Sequence, residues 1–517
     1  MSSSRAENSI KNMISSLAAR LVLLLLNFGV RTVFIRILGD EYLGINGLYS
    51  NVLGMLSLAE LGFGTAMVYN MYRPLAEKND RKLAALLRLY RKVYRVVGVV
   101  ILVLGVSLVP FLDVLIKDPP HVEHLKAYFL LYLGNSVLSY WFWGYKCSIL
   151  TADQKEYVRT NLRTAVSIAK AAVQILVLVW LRNFTAYLVI QLAATVLENI
   201  LAARKAEKMY PAFHVREEEP LTESECRQIS KDVKSLAVAR LGHVALHSTD
   251  NMIISALIGV AWVGVLSNYQ LIIETVTGLL CLFTAALTAS LGNYFVERSK
   301  EEGLRLFRRV EFINFWLYGL CSVALIVLLD PFIALWLGEA YVMEFSVTLA
   351  LVINFFVQGY MNVLWTFRSA MGLFSQGWYR SLIVALINVA LSVLLGIWWG
   401  VFGVLIATFI ANALVRIWFD PLIIYKYGFA CPVKKYLISC AWRVVQIAGI
   451  AVFLLLVREN VMKNGVTMGS FAALVAITAL IAPGIFWVLN GQRDELTYAR
   501  EALKGIWTKL KLRGRAA

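Results

Sequence analysis

The stretch LYSNVLGMLSLAELGFGTAMVYNMYRPLAEKNDRKLAALLRLYRKVYRV, residues 48–96, decides the fold. Its first half is a run of apolar and small residues long enough to cross hydrocarbon, broken only by Glu60. Its second half carries Arg73, Lys78, Arg81, Lys82, Arg88, Arg91, Lys92 and Arg95. An apolar run followed at once by a basic segment reads as a membrane span with its cytoplasmic flank. The remainder of the chain repeats that pattern. Of 517 residues, 59% are hydrophobic and only 16% charged, and the mean hydropathy of +0.67 excludes an ordinary soluble domain.

About fourteen runs are long enough to span: roughly 13–38, 44–71, 93–116, 125–149, 160–181, 184–203, 235–259, 262–292, 311–329, 344–369, 378–399, 401–425, 440–457 and 467–490. None alternates with a period of two, and backbone groups in lipid must be satisfied within each segment, so the expected fold class is an all-α integral membrane bundle. Arg5 and Lys11 precede the first span, and Arg81/Lys82, Lys155/Arg159, Lys205/Lys208, Arg305/Arg308/Arg309, Arg380 and Lys434/Lys435 follow the even-numbered ones. Alternate loops such as GDEYLG (39–44) are poor in Lys and Arg, which puts both termini in the cytoplasm and requires an even count. The same distribution accounts for the net charge of +17 without a nucleic-acid partner. Residues 493–517 form a basic tail suited to lying on anionic membrane lipids or simply to fixing topology. No small-residue cleavage site follows the first apolar run, which is read as a retained helix. The six cysteines have no Cys-x-x-Cys spacing and argue for neither zinc nor disulfides.

Aligning the chain with itself reveals its organisation. AARLVLLLLNFGVRTVFIRILGDEYLG (18–44) matches VARLGHVALHSTDNMIISALIGVAWVG (238–264) at a shift of 220 without a gap, placing Gly39 on Gly259 and Gly44 on Gly264. VPFLDVLI (109–116) falls on DPFIALWL (330–337) at a shift of 221. Spans one to six thus recur as spans seven to twelve. Because six is even, the halves share one orientation, a parallel repeat that puts the expected substrate site between two lobes. The expected layout is an N-terminal lobe (1–204), a cytoplasmic linker (205–232), a C-terminal lobe (233–426), two further helices (427–492) and the tail.

Polar residues fall on helical faces. Span one offers Ser16, Arg20, Asn27 and Arg31; span two, Asn46, Ser50, Ser57, Glu60 and Gly64; span five, Arg163, Ser167, Lys170 and Gln174. Span seven offers His243, His247, Asp250 and Asn251; span eight, Gln270, Glu274 and Thr277; span ten, Asn354, Gln358, Trp365 and Arg368. A charge facing lipid tails costs about 3 kcal/mol or more, so such stripes are expected to line a shared wet interior. Arg20, Arg163 and Arg368 lie near cytoplasmic ends and could equally snorkel. Arg416 and Asp420 read as a local ion pair. Arg31 and Lys170 lie deeper and suit an anionic substrate. His243, His247 and Asp250 have metal-ligand spacing but lack a fourth ligand, which favours a proton- or cation-responsive group over zinc.

Residues 44–95, GINGLYSNVLGMLSLAELGFGTAMVYNMYRPLAEKNDRKLAALLRLYRKVYR, resemble the N-terminal portion of bacterial polysaccharide-biosynthesis membrane proteins. These are the O-antigen- and capsule-type flippases of the multidrug/oligosaccharidyl-lipid/polysaccharide exporter superfamily. The likeness is strongest over roughly 10–115. It implies two six-helix lobes around a V-shaped chamber in the bacterial cytoplasmic membrane. It also implies alternating access, and a short glycan on undecaprenyl diphosphate as cargo moved to the outer leaflet. The two C-terminal helices, about 440–490, resemble those that border a lipid-tail groove in the lipid II flippase branch. On this reading Arg31, Arg20 and Lys170, with Arg163 and Arg368, hold the diphosphate, while Asn27, Gln174, Asn354, Gln358 and Trp365 accommodate the glycan. Glu60, His243, His247, Asp250 and Glu274 would titrate or bind a coupling H+ or Na+, and other polysaccharide-assembly membrane proteins would be partners. A drug exporter of the same superfamily fits the interior cations poorly. A glycan polymerase or glycosyltransferase would carry a large outer loop, whereas the longest outer loop here is about 111–124.

Overall fold

The computed structural model describes residues 5–497 except 61–62, 117–121, 123, 216–218, 232, 234–248, 298, 374–376 and 378. Helices dominate, and no strand occurs among the described residues. The chain divides into two compact units, Met1–Gly264 and Val265–Ala517.

The first unit contains α1 (Arg5–Leu38), α2 (Asp40–Leu56), α3 (Phe63–Ala76), α4 (Asp80–Leu108), α5 (Leu125–Trp141), α6 (Glu156–Leu181), α7 (Phe184–Met209) and α8 (Thr249–Leu257). Helix α9 (Val260–Glu297) runs across the border. The second unit continues with α10 (Lys300–Leu337), α11 (Phe345–Ala370), α12 (Arg380–Val415), α13 (Lys434–Val461) and α14 (Met468–Asn490). The border falls beyond the linker expected at 205–232, because α8 packs on α2 and so belongs with the first unit.

Local sequence explains where helices start. Asn79 caps α4 by accepting the Lys82 amide at 2.9 Å, and Asn183 caps α7 through Ala186 at 3.0 Å. Ser299 and Glu302 form a reciprocal capping box on α10. Ten helical stretches among the described residues are long and apolar enough to cross a bilayer. One of them, Arg380–Phe429, reverses at Gly400, whose φ of +59° suits a residue without a side chain. Asn388 then bonds Thr408 at 3.0 Å and Ser392 bonds the Val404 carbonyl at 3.5 Å, the pairing of an antiparallel helical hairpin. The expected boundary between 378–399 and 401–425 falls at that turn. Of the other expected spans, 44–71 is broken at Ser57–Glu60, 125–149 stops being regular helix at Trp141, and most of 235–259 lies outside the described residues.

The internal repeat has a structural counterpart. Gly39 and Gly259 both turn the chain at positive φ, +88° and +144°. Gly44 lies against the Val260 carbonyl, and its repeat mate Gly264 against the Asp40 carbonyl. The residues 40 and 260 are themselves repeat mates, so each turn packs on the other's, with hydrogen atoms where any side chain would collide.

Segments assigned to one membrane face also meet. Asn12 bonds the Gln154 carbonyl at 2.8 Å, Tyr210 bonds Asp153 at 2.7 Å, and Lys146 pairs with Glu207. Lys82, almost buried, pairs with Glu225 at 2.7 Å and Glu219 at 3.4 Å in the linker. Asn79 donates to Glu219, and Thr222 to Glu225. The hydrogen bond from Asn79 holds the Glu219 carboxyl below its ordinary 4.5, and the one from Lys82 does the same for Glu225. A depressed folded-state value contributes stability above 4.5 that is lost as pH falls through it. The linker should therefore stay docked at pH 7 and loosen on acidification below 4.5. Lys82→Met should release it already at pH 7 by about 1 kcal/mol, roughly fivefold in local opening, read as amide exchange over residues 219–230. Unchanged exchange in the variant would exclude the latch.

Candidate functional site

Glu60 ends a 3-10 turn, Ser57–Glu60, that interrupts the second span between α2 and α3. Its carboxylate is met by tyrosines from two other helices. Tyr94 donates to Oε1 at 3.0 Å and Tyr140 to Oε2 at 3.5 Å, while Tyr90 donates to the Tyr94 hydroxyl at 3.0 Å. The rings pack edge to face, with centroids 4.5 Å apart for Tyr90–Tyr94 and 5.2 Å for Tyr94–Tyr140. Gly64, one turn on, leaves the room: a Cβ there would sit 2.6 Å from Glu60 Oε1 and 2.8 Å from the Tyr90 hydroxyl. The acid thus lies at a helix break, at the end of a chain of hydroxyl donors.

In the second unit Cys281, 221 positions after Glu60, lies within the continuous helix α9. Cys281 Sγ lies 4.0 Å from the Tyr318 hydroxyl and 3.7 Å from Asn362 Nδ2. These three residues stand 221, 224 and 222 positions after Glu60, Tyr94 and Tyr140. At the 221 shift of 109–116 the mate of Tyr94 is Phe315, so Tyr318 stands three residues off that register.

The cations expected in spans one and five come from neighbouring helices. α1 packs along α6, and the two run parallel, since Asn12 accepts from the Tyr157 amide at 2.7 Å and Ser15 bonds Asn161 at 2.6 Å. Arg20 and Asn27 on α1 and Arg163 on α6 are exposed, while Arg31 and Lys170 are half-buried. Arg31 stands near Tyr187 of α7. Lys170 feels both Arg163 and Glu198, an acid of α7 that the stripe reading passed over because it stood alone on an apolar helix.

Other expected site residues are committed to the protein itself. Gln174 is 1% exposed and donates to the Tyr187 carbonyl at 3.3 Å; it packs α6 on α7 where a glycan contact was expected. Asn354 likewise donates to the Leu405 carbonyl at 2.8 Å. Arg368 is buried, not snorkelling: it pairs with Asp420 at 2.8 Å and donates to the Leu373 carbonyl. Arg380, expected in a cytoplasmic loop, is buried on the same carboxylate. Arg416 joins at 3.5 Å, as the local pairing predicts. Gln358, Trp365 and Glu274 are exposed and Asp250 is half-buried. His243 and His247 lie outside the described residues.

Two buried ion pairs were not read from the sequence. Glu311 of α10 takes a bidentate contact from Arg443 of α13 at 3.0 and 3.1 Å, with Tyr436 donating at 3.1 Å. Asp330 accepts from Thr348 at 2.6 Å and Tyr269 at 3.3 Å, with Arg458 at 3.6 Å.

This helical architecture is shared with solved membrane transporters. A structure of the lipid II flippase MurJ, inward closed, superposes with a TM-score of 0.62 at 15% identity, covering 92% of this chain and 98% of that one. An inward-facing multidrug resistance MATE family transporter gives 0.56 at 16%, covering 84% and 98%. The Vibrio cholerae MATE transporter VcmN, as a variant, gives 0.54 at 15%, covering 82% and 97%. No curated protein matches the sequence. Residues 9–291, more than half the chain, match the polysaccharide biosynthesis protein family, and the chain belongs to it.

Proposed function

We propose that the protein is a flippase that carries an undecaprenyl-diphosphate-linked oligosaccharide from the cytoplasmic to the outer leaflet of the bacterial cytoplasmic membrane. Its role is in cell-surface polysaccharide synthesis of the O-antigen or capsule type, alongside other assembly proteins. The observation that carries this reading is the packed pair α1 and α6. Within the family-matched region it presents Arg20, Arg31, Arg163 and Lys170 from two adjacent parallel helices. Guanidinium and ammonium groups at membrane depth suit a diphosphate, and the exposed amides Asn27 and Gln358 suit sugar hydroxyls. Glu60 is the coupling group: protonation or a bound Na+ changes its charge and so the tyrosine contacts that fix the break in span two. Asp250 and Glu274 are further candidates for that role.

Cells lacking the chain should accumulate an undecaprenyl-diphosphate oligosaccharide protected from a membrane-impermeant oxidant, read by lipid mass spectrometry. Without accumulation, a drug-export role would take its place; accumulation fully exposed outside would point to a polymerase. Glu60→Gln keeps an acceptor for Tyr94 but removes the charge. It should slow transport in proteoliposomes about tenfold, equivalent to about 1.4 kcal/mol in the limiting step, and flatten its pH profile. An unaltered rate and profile would remove Glu60 from the mechanism.

A further inference from the structure

A cavity of about 500 Å³ opens beside the end of the twelfth span, lined by Leu422, Tyr425, Lys426, Cys431, Pro432 and Val433 among others. Its wall is a π-helix, Ile424–Phe429, closed by Ala430 in the left-handed region at φ +54°. π-Turns are rare and widen the helix at the expense of its packing, which is tolerated mainly where something else uses the space. The floor is aromatic: Tyr425 lies 5.1 Å from Tyr436, and 5.8 Å from Phe307 between ring centres. The rim is cationic. Lys426 is exposed on the wall, exposed Arg308 of α10 stands beside both Tyr425 and Cys431, and exposed Lys434 and Lys435 begin the next helix. Tyr425 itself is buried, with its hydroxyl beside the Arg308 guanidinium.

An apolar floor under a rim of cations, with a phenol hydroxyl beside one of them, selects an amphipathic anion. We infer that this cavity binds a phosphate ester, with Lys426 and Arg308 on the phosphate and Tyr425 donating to it. The apolar walls of Leu422, Pro432 and Val433 would meet the carbon skeleton of the ester. The site lies apart from the α1–α6 cations and does not depend on the transport role proposed for them.

Cys431 lines the cavity and is half-buried, so it reports occupancy directly, while exposed Cys226 serves as reference. The full-length protein is placed in nanodiscs of phosphatidylcholine alone or with phosphatidylglycerol, and modification by N-ethylmaleimide is followed peptide by peptide. A site nine-tenths occupied should slow Cys431 about tenfold relative to Cys226. Slowing by phosphatidylglycerol identifies the ester as a lipid headgroup. Slowing by glycerol 3-phosphate in phosphatidylcholine discs, with none from phosphatidylglycerol, identifies a soluble ester. In either case Lys426→Gln should restore the fast rate. If neither ligand slows Cys431, or if the slowing persists in Lys426→Gln, the assignment is overturned.

Discussion

Arg443→Met should be among the most damaging single changes in the protein, lowering stability by about 3–5 kcal/mol. Both partners of the Arg443–Glu311 pair are about 3% exposed, so neither charge can turn to water when the other is removed. The guanidinium also lies 4.3 Å over the Phe315 ring and 5.7 Å from Phe312, and bonds Cys440. Methionine would keep much of that apolar contact, leaving the uncompensated Glu311 carboxylate as the chief loss. The double variant Glu311→Leu/Arg443→Met should accordingly regain most of the stability, since two apolar side chains need no partner. Thermal unfolding in detergent checks both. If the single variant is as stable as the parent, or the double no better than the single, the pair does not hold α13 on α10.

Asp420→Asn is the second. One carboxylate, itself 4% exposed, gathers Arg368, Arg380 and Arg416 from three segments, and both Arg368 and Arg380 are buried with it. The amide keeps the shape but leaves three guanidinium groups facing one another without an anion. A loss of about 3–5 kcal/mol follows, the range for removing one partner of a buried ionic group. Adding Arg368→Met should recover part of it, because one repelling charge goes; a double variant weaker than the single would show that Arg368 acts through its bond to the Leu373 carbonyl instead.

The fold class was legible because lipid leaves the chain little choice: every run that must cross hydrocarbon announces itself by length and composition. The repeat was legible because Gly39 and Gly259 serve the same positive-φ turn, which other residues adopt only with strain. The site was legible only in part. Gln174, Asn354 and Arg368 sit on polar faces that look just like those of Asn27 and Arg31, since periodicity gives a face but not the neighbour it meets. Glu311 and Arg443 are 132 positions apart, and nothing local in either segment names the other. The break at Ser57–Glu60 lay in an apolar run interrupted only by Glu60, where the face Asn46, Ser50, Ser57, Glu60 and Gly64 named the acid but not the tyrosines that meet it.

The reciprocal contact of Gly44 with Val260 and Gly264 with Asp40 has the form found in a twofold homodimer, where residue i of one subunit meets j of the other and j meets i. Two separate copies of one half-length polypeptide, meeting at this turn, could make both contacts at once. Joining such copies in one chain lets each half change alone, as at positions 40 and 260, where one turn carries Asp40 and its mate Val260.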